Sequence, residues 1–496
     1  MAITIDEVPA NWAVPGSYTQ VRSRKSGQTL AGMPLRVLLI GVLSAKGNGT
    51  PLTVYPNITS AAAAAALAGS GSAAAQMVSA FVTDALYTVF DLLLVAPAAG
   101  ATSAVWTVTP TGPATAAGTV AIEVNGYRVP GTVTKDMTAA QIGAALQSAW
   151  TDDLAAKTGC AMSVDAASGK LTLTAIDTGA WTNDIDVRAS TRYGDGVAGI
   201  TLTVDATTKG AGTPDITDAL SLVSKTWYTD MAWITADQPN LAVLATEASR
   251  RFNAMIKLDT HVYVGLRATY GAALALSETQ NSKFSSILVA NNARFAPWEA
   301  AGALCAVASA ALNIDPARQL RTLALTALAG RGPDDADHFD DAMRNVLLNN
   351  GMSTFLVQQD GTLQLERVVT CNLLDDTGLP DKDWQDIMSP KVASRVRYEW
   401  NTYVTQTWPR AKLADNGSPL ATKTGSNVVT CDTLQLSWVG QSTLYADAGW
   451  IDDVDTLSPQ AVFERDATDR SRVSSQLIIN RMGSLMVVAN SLEMQV

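Results

Sequence analysis

The chain of 496 residues has an apolar fraction of 47% and a charged fraction of 16%, enough to fill the cores of about three domains. That composition excludes wholesale disorder. The net charge of −11 and the isoelectric point near 4.8 argue against nucleic acid or an anionic membrane surface as the main partner, because both attract clustered lysine and arginine.

Neither the first residues nor the apolar runs suggest a targeting or membrane segment. The opening residues, MAITIDEVPANW, lack the basic stretch and apolar core of a signal peptide. The longest apolar runs, Ala61–Leu67 and Leu92–Ala99, are far shorter than the roughly 20 residues that cross a bilayer. Four scattered cysteines predict small buried side chains without disulfides. We therefore expect a soluble chain that is made inside the cell.

The first hundred residues predict an arm followed by the start of an α/β domain. Residues 1–30 contain several turn formers and predict an extended arm that ends in a short strand. The runs Arg36–Gly41 and Asp91–Ala96 predict strands that are buried on both faces. An alanine-rich helix from about Ser60 to Thr83 lies between them, and Gly69-Ser-Gly71 predicts a turn within it or between two helices.

Residues 101–212 change in composition and predict a small inserted α+β domain. The segment is rich in Thr, Ala, Gly and Val, and a helix is predicted from about Ala139 to Ala156. The alternating strands are predicted at Val105–Val108, Thr119–Val124, Leu171–Ile176 and Ile185–Ala189. Its turns are polar and rich in glycine, so we expect this insert to project outward.

The α/β rhythm returns after residue 212 and predicts a mostly parallel sheet. Helices are predicted from Asp215, over Asn240–Asp259, over Pro297–Ala311 and over Asp337–Asn350; strands are predicted at Trp227–Thr235, His261–Arg267 and Ser286–Ala290. The last third predicts a β-hairpin at Phe355–Arg367 with Asp-Gly at its turn, and a largely helical segment at Asp383–Tyr403. In residues 484–496, apolar and polar side chains alternate, which predicts an edge strand with one apolar face.

These patterns define the predicted domains. An arm covers 1–30, and a discontinuous α/β core covers 31–100 plus 213–350. The insert covers 101–212, an α+β C-terminal domain covers 351–483, and a terminal arm strand covers 484–496.

Catalytic motifs are missing from the sequence. A Ser-His-Asp triad would have to use His261 or His338, and neither has a GxSxG elbow nearby. The loop Gly41–Thr50 lacks the Gly-Lys-Ser/Thr ending of a P-loop. The acidic run Asp334–Asp341 lacks the ligand spacing of a calcium loop and suits a helix N-terminus. These motifs therefore give no sign of a catalytic residue, a metal site or a cofactor site.

Several runs share their order and spacing with a known family. They are Val14-Pro-Gly-Ser-Tyr18, Leu38-Leu-Ile-Gly41, Asp315-Pro-Ala-Arg318 with Leu320-Arg-Thr-Leu323, Arg344 to Phe355 with Glu366-Arg-Val-Val-Thr370, and Asn480-Arg to Val496. In these runs the chain resembles the tail sheath family of contractile phages, in particular its Mu-like branch. Gln319 stands where the family run has proline, and the insert carries none of the resemblance.

The resemblance implies a structural function in a virion. Such sheaths have a subtilisin-like α/β core, a C-terminal domain that faces the tail tube, and terminal arms that add strands to sheets of neighbouring subunits. Hexameric rings stack around the tube and contract to drive it through the host envelope. The implied partners are further copies of the chain, the tail tube protein, and the baseplate and tail terminator proteins. No nucleic acid and no membrane insertion are implied, and assembly in the host cytoplasm is expected.

The resemblance also assigns candidate contact residues. The predicted arm contacts are Val14, Tyr18, Val21, Leu485, Val487, Leu492, Met494 and Val496. The predicted tube-facing cations are Lys391, Arg395 and Arg397 in one helix, or Arg465 and Arg470 further along the chain. Two alternative functions stay open at this point. One is an α/β hydrolase that uses a histidine, and the other is a receptor- or glycan-binding virion protein with the insert as its binding module.

Overall fold

A computed structural model describes residues 14, 16, 30–420, 423 and 427–494. These residues form two compact units. The larger unit contains the described residues of 33–397, 449–452 and 479–496. The smaller unit contains those of 1–32, 398–448 and 453–478.

The larger unit begins with three strands and two alanine-rich helices. They are β1 (Val37–Val42), β2 (Thr53–Ile58), α1 (Ala61–Ala68), α2 (Ala73–Asp84) and β3 (Phe90–Val95). The wholly apolar β1 is buried over its whole length, as its sequence predicts. The predicted alanine-rich helix is two helices, because Gly69 and Gly71 have positive φ and Ser72 starts a new helix, its Oγ accepting from Ala75 N at 3.1 Å.

The insert folds as two small sheets with two helices. Its elements are β4 (Val105–Pro110), β5 (Gly118–Val124), β6 (Tyr127–Val133), α3 (Ala139–Ser148), α4 (Asp152–Thr158), β7 (Cys160–Val164), β8 (Leu171–Ala175), β9 (Val187–Ala189) and β10 (Leu202–Thr208). The sheets have the strand orders β10-β4-β8-β7 and β6-β5-β9. The single predicted helix is again two, since the Thr151 hydroxyl caps α4 by accepting from Leu154 N at 3.2 Å.

The remaining elements of the larger unit alternate between helix and strand. They are α5 (Thr217–Leu222), β11 (Asp230–Trp233), α6 (Gln238–Phe252), β12 (His261–Arg267), α7 (Tyr270–Ser277), β13 (Ser285–Ala290), α8 (Pro297–Ile314), α9 (Asp341–Asn349), β14 (Met352–Val357), β15 (Leu363–Arg367) and α10 (Met388–Thr407), which continues into the smaller unit. The large sheet has the order β15-β14-β13-β12-β11-β1-β3-β2. Its six central strands are parallel and its two edge strands antiparallel, which confirms the predicted mostly parallel sheet.

The last elements are short. They are β16 (Lys412–Leu413), β17 (Val428–Val429), α11 (Cys431–Asp447), β18 (Ile451–Asp452), α12 (Val454–Leu457), β19 (Val462–Arg465), β20 (Val473–Gln476) and β21 (Asn480–Arg481). Aromatic rings form the centre of the smaller unit: the Trp400 ring lies 5.2 Å from that of Trp438 and 6.2 Å from that of Phe463. The strands β18 and β21 pair within the larger unit.

One predicted domain boundary differs from the division between the units. The C-terminal domain is predicted to start at residue 351, but β14 pairs in parallel with β13 and extends the large sheet. The units separate between residues 397 and 398 instead, inside α10. The helix also begins at Met388 rather than Asp383. Three further points stay predictions: the other domain boundaries, the outward projection of the insert, and the subtilisin-like character of the core.

Two predictions about side-chain and helix character can be compared directly with the fold. Cys160, Cys305, Cys371 and Cys431 are all buried and unpaired, as predicted. Among the described helices, none combines the length and the hydropathy that crossing a membrane requires.

Backbone contact between α2 and α8 determines how closely these helices pack. A Cβ atom at Gly302 of α8 would lie 2.2 Å from the carbonyl oxygen of Met77 in α2. Nearby, the Trp298 indole N–H donates to Gln76 Oε1 at 2.7 Å. The glycine is therefore required by the approach of two helices, and not by a turn.

We expect Gly302→Ala to destabilise the fold by about 1–3 kcal/mol, because the added methyl group forces the two helices apart. Gly271→Ala in α7 is the matched control, since a Cβ there meets no atom within 4 Å. The control should be neutral or up to about 1 kcal/mol more stable. Urea unfolding of both variants measures the difference, and equal stabilities would contradict the packing argument.

Candidate functional site

The carboxyl-terminal edge of the parallel sheet is where proteins of this architecture usually bind ligands, next to the point where the strand order reverses. Here that point is at β1, which has β3 on one side and β11 on the other. The insert leaves the sheet at the carboxyl end of β3, which lies at this edge, and the chain returns through α5 to β11. The insert therefore starts beside the position where a ligand would enter.

Asp177 of the insert occupies the N-terminus of α2. Its Oδ2 accepts a hydrogen bond from the backbone N–H of Ala73 at 2.7 Å, and the side chain is buried. Burial raises the pKa of Asp177 to about 6, while the Ala73 N–H lowers it. A free helix N-terminus at this edge would attract an anion, and here the chain supplies its own carboxylate.

A network of buried charges joins the insert to the ends of β12 and β13. We call it the junction cluster; it consists of Glu123, Asp186, Arg188, Arg267, Arg294 and Asp334. Asp186 accepts two hydrogen bonds from Arg188, at 2.7 and 2.8 Å, and one from Arg267 at 2.7 Å.

Further contacts extend the junction cluster across the boundary. Arg294 Nε lies 3.1 Å from Glu123 Oε2, and Arg294 Nη2 donates to Asp334 Oδ1 at 2.5 Å. Glu123 is 1% exposed. Removing one partner would leave a buried charge uncompensated, so the cluster fixes the insert against the sheet edge. In the described part of the chain, no group of acids, cysteines or histidines could hold a metal ion.

The hydrolase alternative depends on His261 or His338. His261 Nε2 lies 2.9 Å from the Ser286 hydroxyl, but both residues are buried, so a substrate cannot reach them. His261 Nδ1 has no hydrogen-bond partner among the described residues, so no carboxylate orients the ring as a triad requires. His338 is exposed and its Nε2 contacts the carbonyl of Pro333. Neither histidine lies in a usable catalytic arrangement.

The acidic run before α9 stabilises the local structure. The Asp340 carboxylate caps α9 by accepting from Met343 N at 2.7 Å, as expected for acid at a helix N-terminus. Asp337 accepts from the Asn292 side chain at 2.7 Å. Asp334 belongs to the junction cluster.

The three cations predicted to face the tube from α10 lie inside the larger unit. Lys391 Nζ is 2.6 Å from Asp230 Oδ1. Arg395 Nη1 donates to Asn313 O at the end of α8 at 3.1 Å, and its guanidinium lies over the Trp450 ring. Lys391 and Arg395 are each 7% exposed and cannot present a charge to a partner.

Arg397 makes a similar contact. It donates to the carbonyl of Phe252, the last residue of α6, at 2.7 Å and pairs with Asp259. Arg395 and Arg397 thus satisfy carbonyl groups that helix ends leave unpaired. The burial of Lys391 and Arg395 argues against a tube contact through these two side chains, whereas Arg397, whose side chain is 24% exposed, stays a predicted contact.

The other predicted tube-facing cations lie in the smaller unit. Arg465 pairs with Asp415 at 2.5 Å and donates to the carbonyl of Arg470. The side chain of Arg470 is exposed. The tube contact of Arg465 and Arg470 stays a prediction.

The predicted arm residues near the end of the chain are exposed. Leu485, Val487, Leu492 and Met494 are between 71% and 88% exposed. Residues 484–494 form no strand within the chain, so their alternation is not used in its own sheets. Val14 is 56% exposed, and the predicted contacts Tyr18, Val21 and Val496 lie outside the described residues. Exposed apolar side chains in such number point to a contact surface.

Comparison with known proteins gives one strong match. No protein-family model matches the chain. The tail sheath protein of the Mu-like prophage FluMu from Haemophilus influenzae is 26% identical over 501 residues, which cover 99% of each chain. The predicted resemblance is confirmed. The Mu-like tail sheath protein and this chain correspond over nearly their whole lengths, including the insert.

Solved structures of sheath proteins are also similar in outline. The sheath tail protein of Desulfitobacterium hafniense covers 95% of this chain and 97% of its own, with 15% identity and a TM-score of 0.46. The sheath tail protein of Listeria innocua covers 92% and 93%, with 11% identity and a TM-score of 0.45. A baseplate structure of the anti-feeding prophage, 6-fold symmetrised, covers 54% and 69%, with 9% identity and a TM-score of 0.37.

We expect Lys391→Ala to destabilise the larger unit by about 3–5 kcal/mol, because it leaves Asp230, which is 2% exposed, without its cation. Arg470→Ala is the control, since exposed substitutions usually change stability by less than about 0.5 kcal/mol. Chemical unfolding measures both. A neutral Lys391→Ala would contradict the buried position of this side chain.

We expect His261 to destabilise the fold at acid pH. Burial, and secondarily the charge of Lys391, lower the pKa of His261 well below its ordinary value of 6.5. Below pH 6.5 the unfolded chain therefore takes up a proton that the folded protein does not bind, and stability is lost as the pH falls.

The measurement compares the wild type with His261→Gln, which cannot be protonated. Their difference in unfolding free energy should change by up to about 1.4 kcal/mol per pH unit below 6.5, in favour of the variant. His338→Gln is the exposed control. A difference independent of pH would show that His261 is protonated equally in both states.

Proposed function

We propose that this chain is the structural subunit of a contractile tail sheath and not an enzyme. The observation that carries the proposal is the sequence match to a Mu-like tail sheath protein over 99% of both chains. The Asp177 carboxylate at the N-terminus of α2 and the buried His261 support a structural role, because the first occupies an anion site of the fold and the second is out of reach of a substrate.

Copies of the chain associate, in this proposal, by exchanging terminal strands. An added strand satisfies its backbone hydrogen bonds on an unpaired sheet edge and places alternate side chains on the acceptor. Leu492 and Met494 are two residues apart and would share one face of such a strand. Residues 487–494 are available for this pairing, since they form no strand in their own chain.

Several strands of the described sheets pair on one side only, and two of these edges lie outside the insert and can be compared as acceptors of an added strand. The hairpin β19–β20 consists of two strands only, and a pair of this kind is marginal by itself. Added strands would complete it. In the larger unit, β2 pairs with β3 on one side only, but Pro56 in β2 and a register shift between Tyr55 and Ile58 make it a poorer acceptor. We therefore favour the hairpin as acceptor.

The wider assembly follows from the same proposal. Stacked hexameric rings would surround a tail tube protein, end at baseplate and tail terminator proteins, and contract to drive the tube through the host envelope. Assembly would take place in the host cytoplasm and the product would be part of the virion tail. The exposed Arg470 and its neighbour Arg465 remain the proposed contacts with the tube.

We expect deletion of residues 1–20, or of residues 484–496, to leave a folded monomer that does not polymerise. The wild type should form tubes or stacked rings in negative-stain electron microscopy. A sharper pair of variants tests the strand face: Leu492→Asp with Met494→Asp should abolish tubes, whereas Ser491→Asp on the opposite face should permit them.

Far-ultraviolet circular dichroism and thermal unfolding check that each variant is folded. Normal tubes from either deletion would contradict the role of that arm. Failure of the wild type to polymerise under any solution condition would contradict the proposed function.

A further inference from the structure

The apolar terminal segment stays attached to the larger unit further along the chain than its sequence pattern predicts. Asn480 and Arg481 pair with Ile451–Asp452, and Met482 N donates to Trp450 O at 3.1 Å. Met486 packs against the hydrophobic core. The predicted arm starts at residue 484, but residues 484–486 still contact the body of the protein.

Gln319 makes the last polar contact with this segment. Its Nε2 donates to the carbonyl oxygen of Leu485 at 3.0 Å. Its Oε1 is buried and accepts no hydrogen bond from the described residues, so the bond to Leu485 alone orients the amide group. Gln319 follows α8, a helix that is buried along most of its length.

The contact ends abruptly after Met486. No hydrogen bond or ion pair joins residues 487–494 to any other described part of the chain, and Val487 is 82% exposed. The change from attached to free chain therefore falls between Met486 and Val487. Eight described residues follow, which span about 26 Å when fully extended.

The contact between Gln319 and Leu485 depends on the side chain of residue 319 and not on its backbone. In the resembled family run, proline stands at the position of Gln319, and proline has no side-chain donor that could reach Leu485. The backbone N–H of Gln319 donates no hydrogen bond within the described residues, so a proline at this position would remove no backbone hydrogen bond. The side chain thus adds a contact that the local backbone does not need.

We propose that Gln319 is a positioning residue that clamps the base of the arm, and that the free arm begins at Val487. The proposal rests on the proposed function of the segment as an exchanged strand. The clamp fixes the point from which the arm reaches a second copy of the chain. A force on the exchanged strand is then transmitted through Leu485 to Gln319, in the segment that follows α8, and through Met486 to the hydrophobic core.

Hydrogen exchange on the full-length monomer tests the clamp without requiring assembly. In the wild type, the Met482 amide, which donates to Trp450 O, should be protected, whereas the amides of residues 487–494, which donate no hydrogen bond within the described residues, should exchange freely. Gln319→Glu keeps the shape but turns a carboxylate oxygen towards the Leu485 carbonyl, and Gln319→Pro removes the donor without adding charge. Because either change frees the end of this segment, each should speed exchange of the Met482 amide at least about five-fold, the effect of one lost hydrogen bond, with an unchanged unfolding midpoint.

Arg318→Gln is the matched control, because this neighbouring side chain is exposed. It should leave exchange unchanged. Protection that continues through residue 494 would overturn the assigned start of the arm. Unchanged exchange in both Gln319 variants would overturn the clamp.

Electron microscopy of the same variants separates this proposal from the proposed function. With an intact arm, Gln319→Pro should still form tubes, but these should fall apart at a lower urea concentration than wild-type tubes. Equal resistance to urea would overturn the mechanical role of the clamp. If the wild type forms no tubes, the proposed function fails, while the exchange results still decide whether Gln319 holds the segment.

Discussion

The rest of the structure depends on the buried carboxylates that the insert presents to the carboxyl-terminal edge of the large sheet. Asp177 caps α2, while Glu123 and Asp186 pair with arginines from both sides of the boundary. Buried charges require partners. The insert therefore cannot separate from the sheet without exposing these charges to water or leaving them buried without a partner. Part of the edge at which α/β proteins usually bind ligands is therefore occupied by side chains of the insert.

Local sequence signals predicted the central sheet well and the insert only in part. Strand β12 matches its prediction at both ends, and the Asp-Gly turn correctly marks the hairpin of β14 and β15, because these features depend on neighbouring residues only. Strands β6, β7 and β10 were missed. Asn125 and Gly126, both with positive φ, join β5 to β6, and this Asn-Gly pair was a usable hairpin signal. The Thr-rich β10 offers no such signal.

The cations of α10 show why the buried charges could not be predicted. In the sequence, Lys391 and Arg395 are four residues apart and suggest an exposed basic face. Their partners lie far away in the chain: Lys391 reaches Asp230 across 161 residues and Arg395 reaches Asn313 across 82. Only the fold brings these groups together. The exposed apolar side chains near the end of the chain were predictable, because an alternating segment that leaves the body keeps its local pattern.

The charge balance explains why copies of such a chain need apolar and backbone contacts. With a net charge of −11, two copies repel one another at long range, and salt screens this repulsion over about 8 Å at physiological ionic strength. Attraction between subunits must then come from contacts of short range that lose little strength in salt. A strand that adds to a sheet edge is such a contact, since its hydrogen bonds are made between backbone groups and its side chains bury apolar surface. The exposed Leu492 and Met494 are suited to that contact, whereas the arginines of the junction cluster are already paired within the chain.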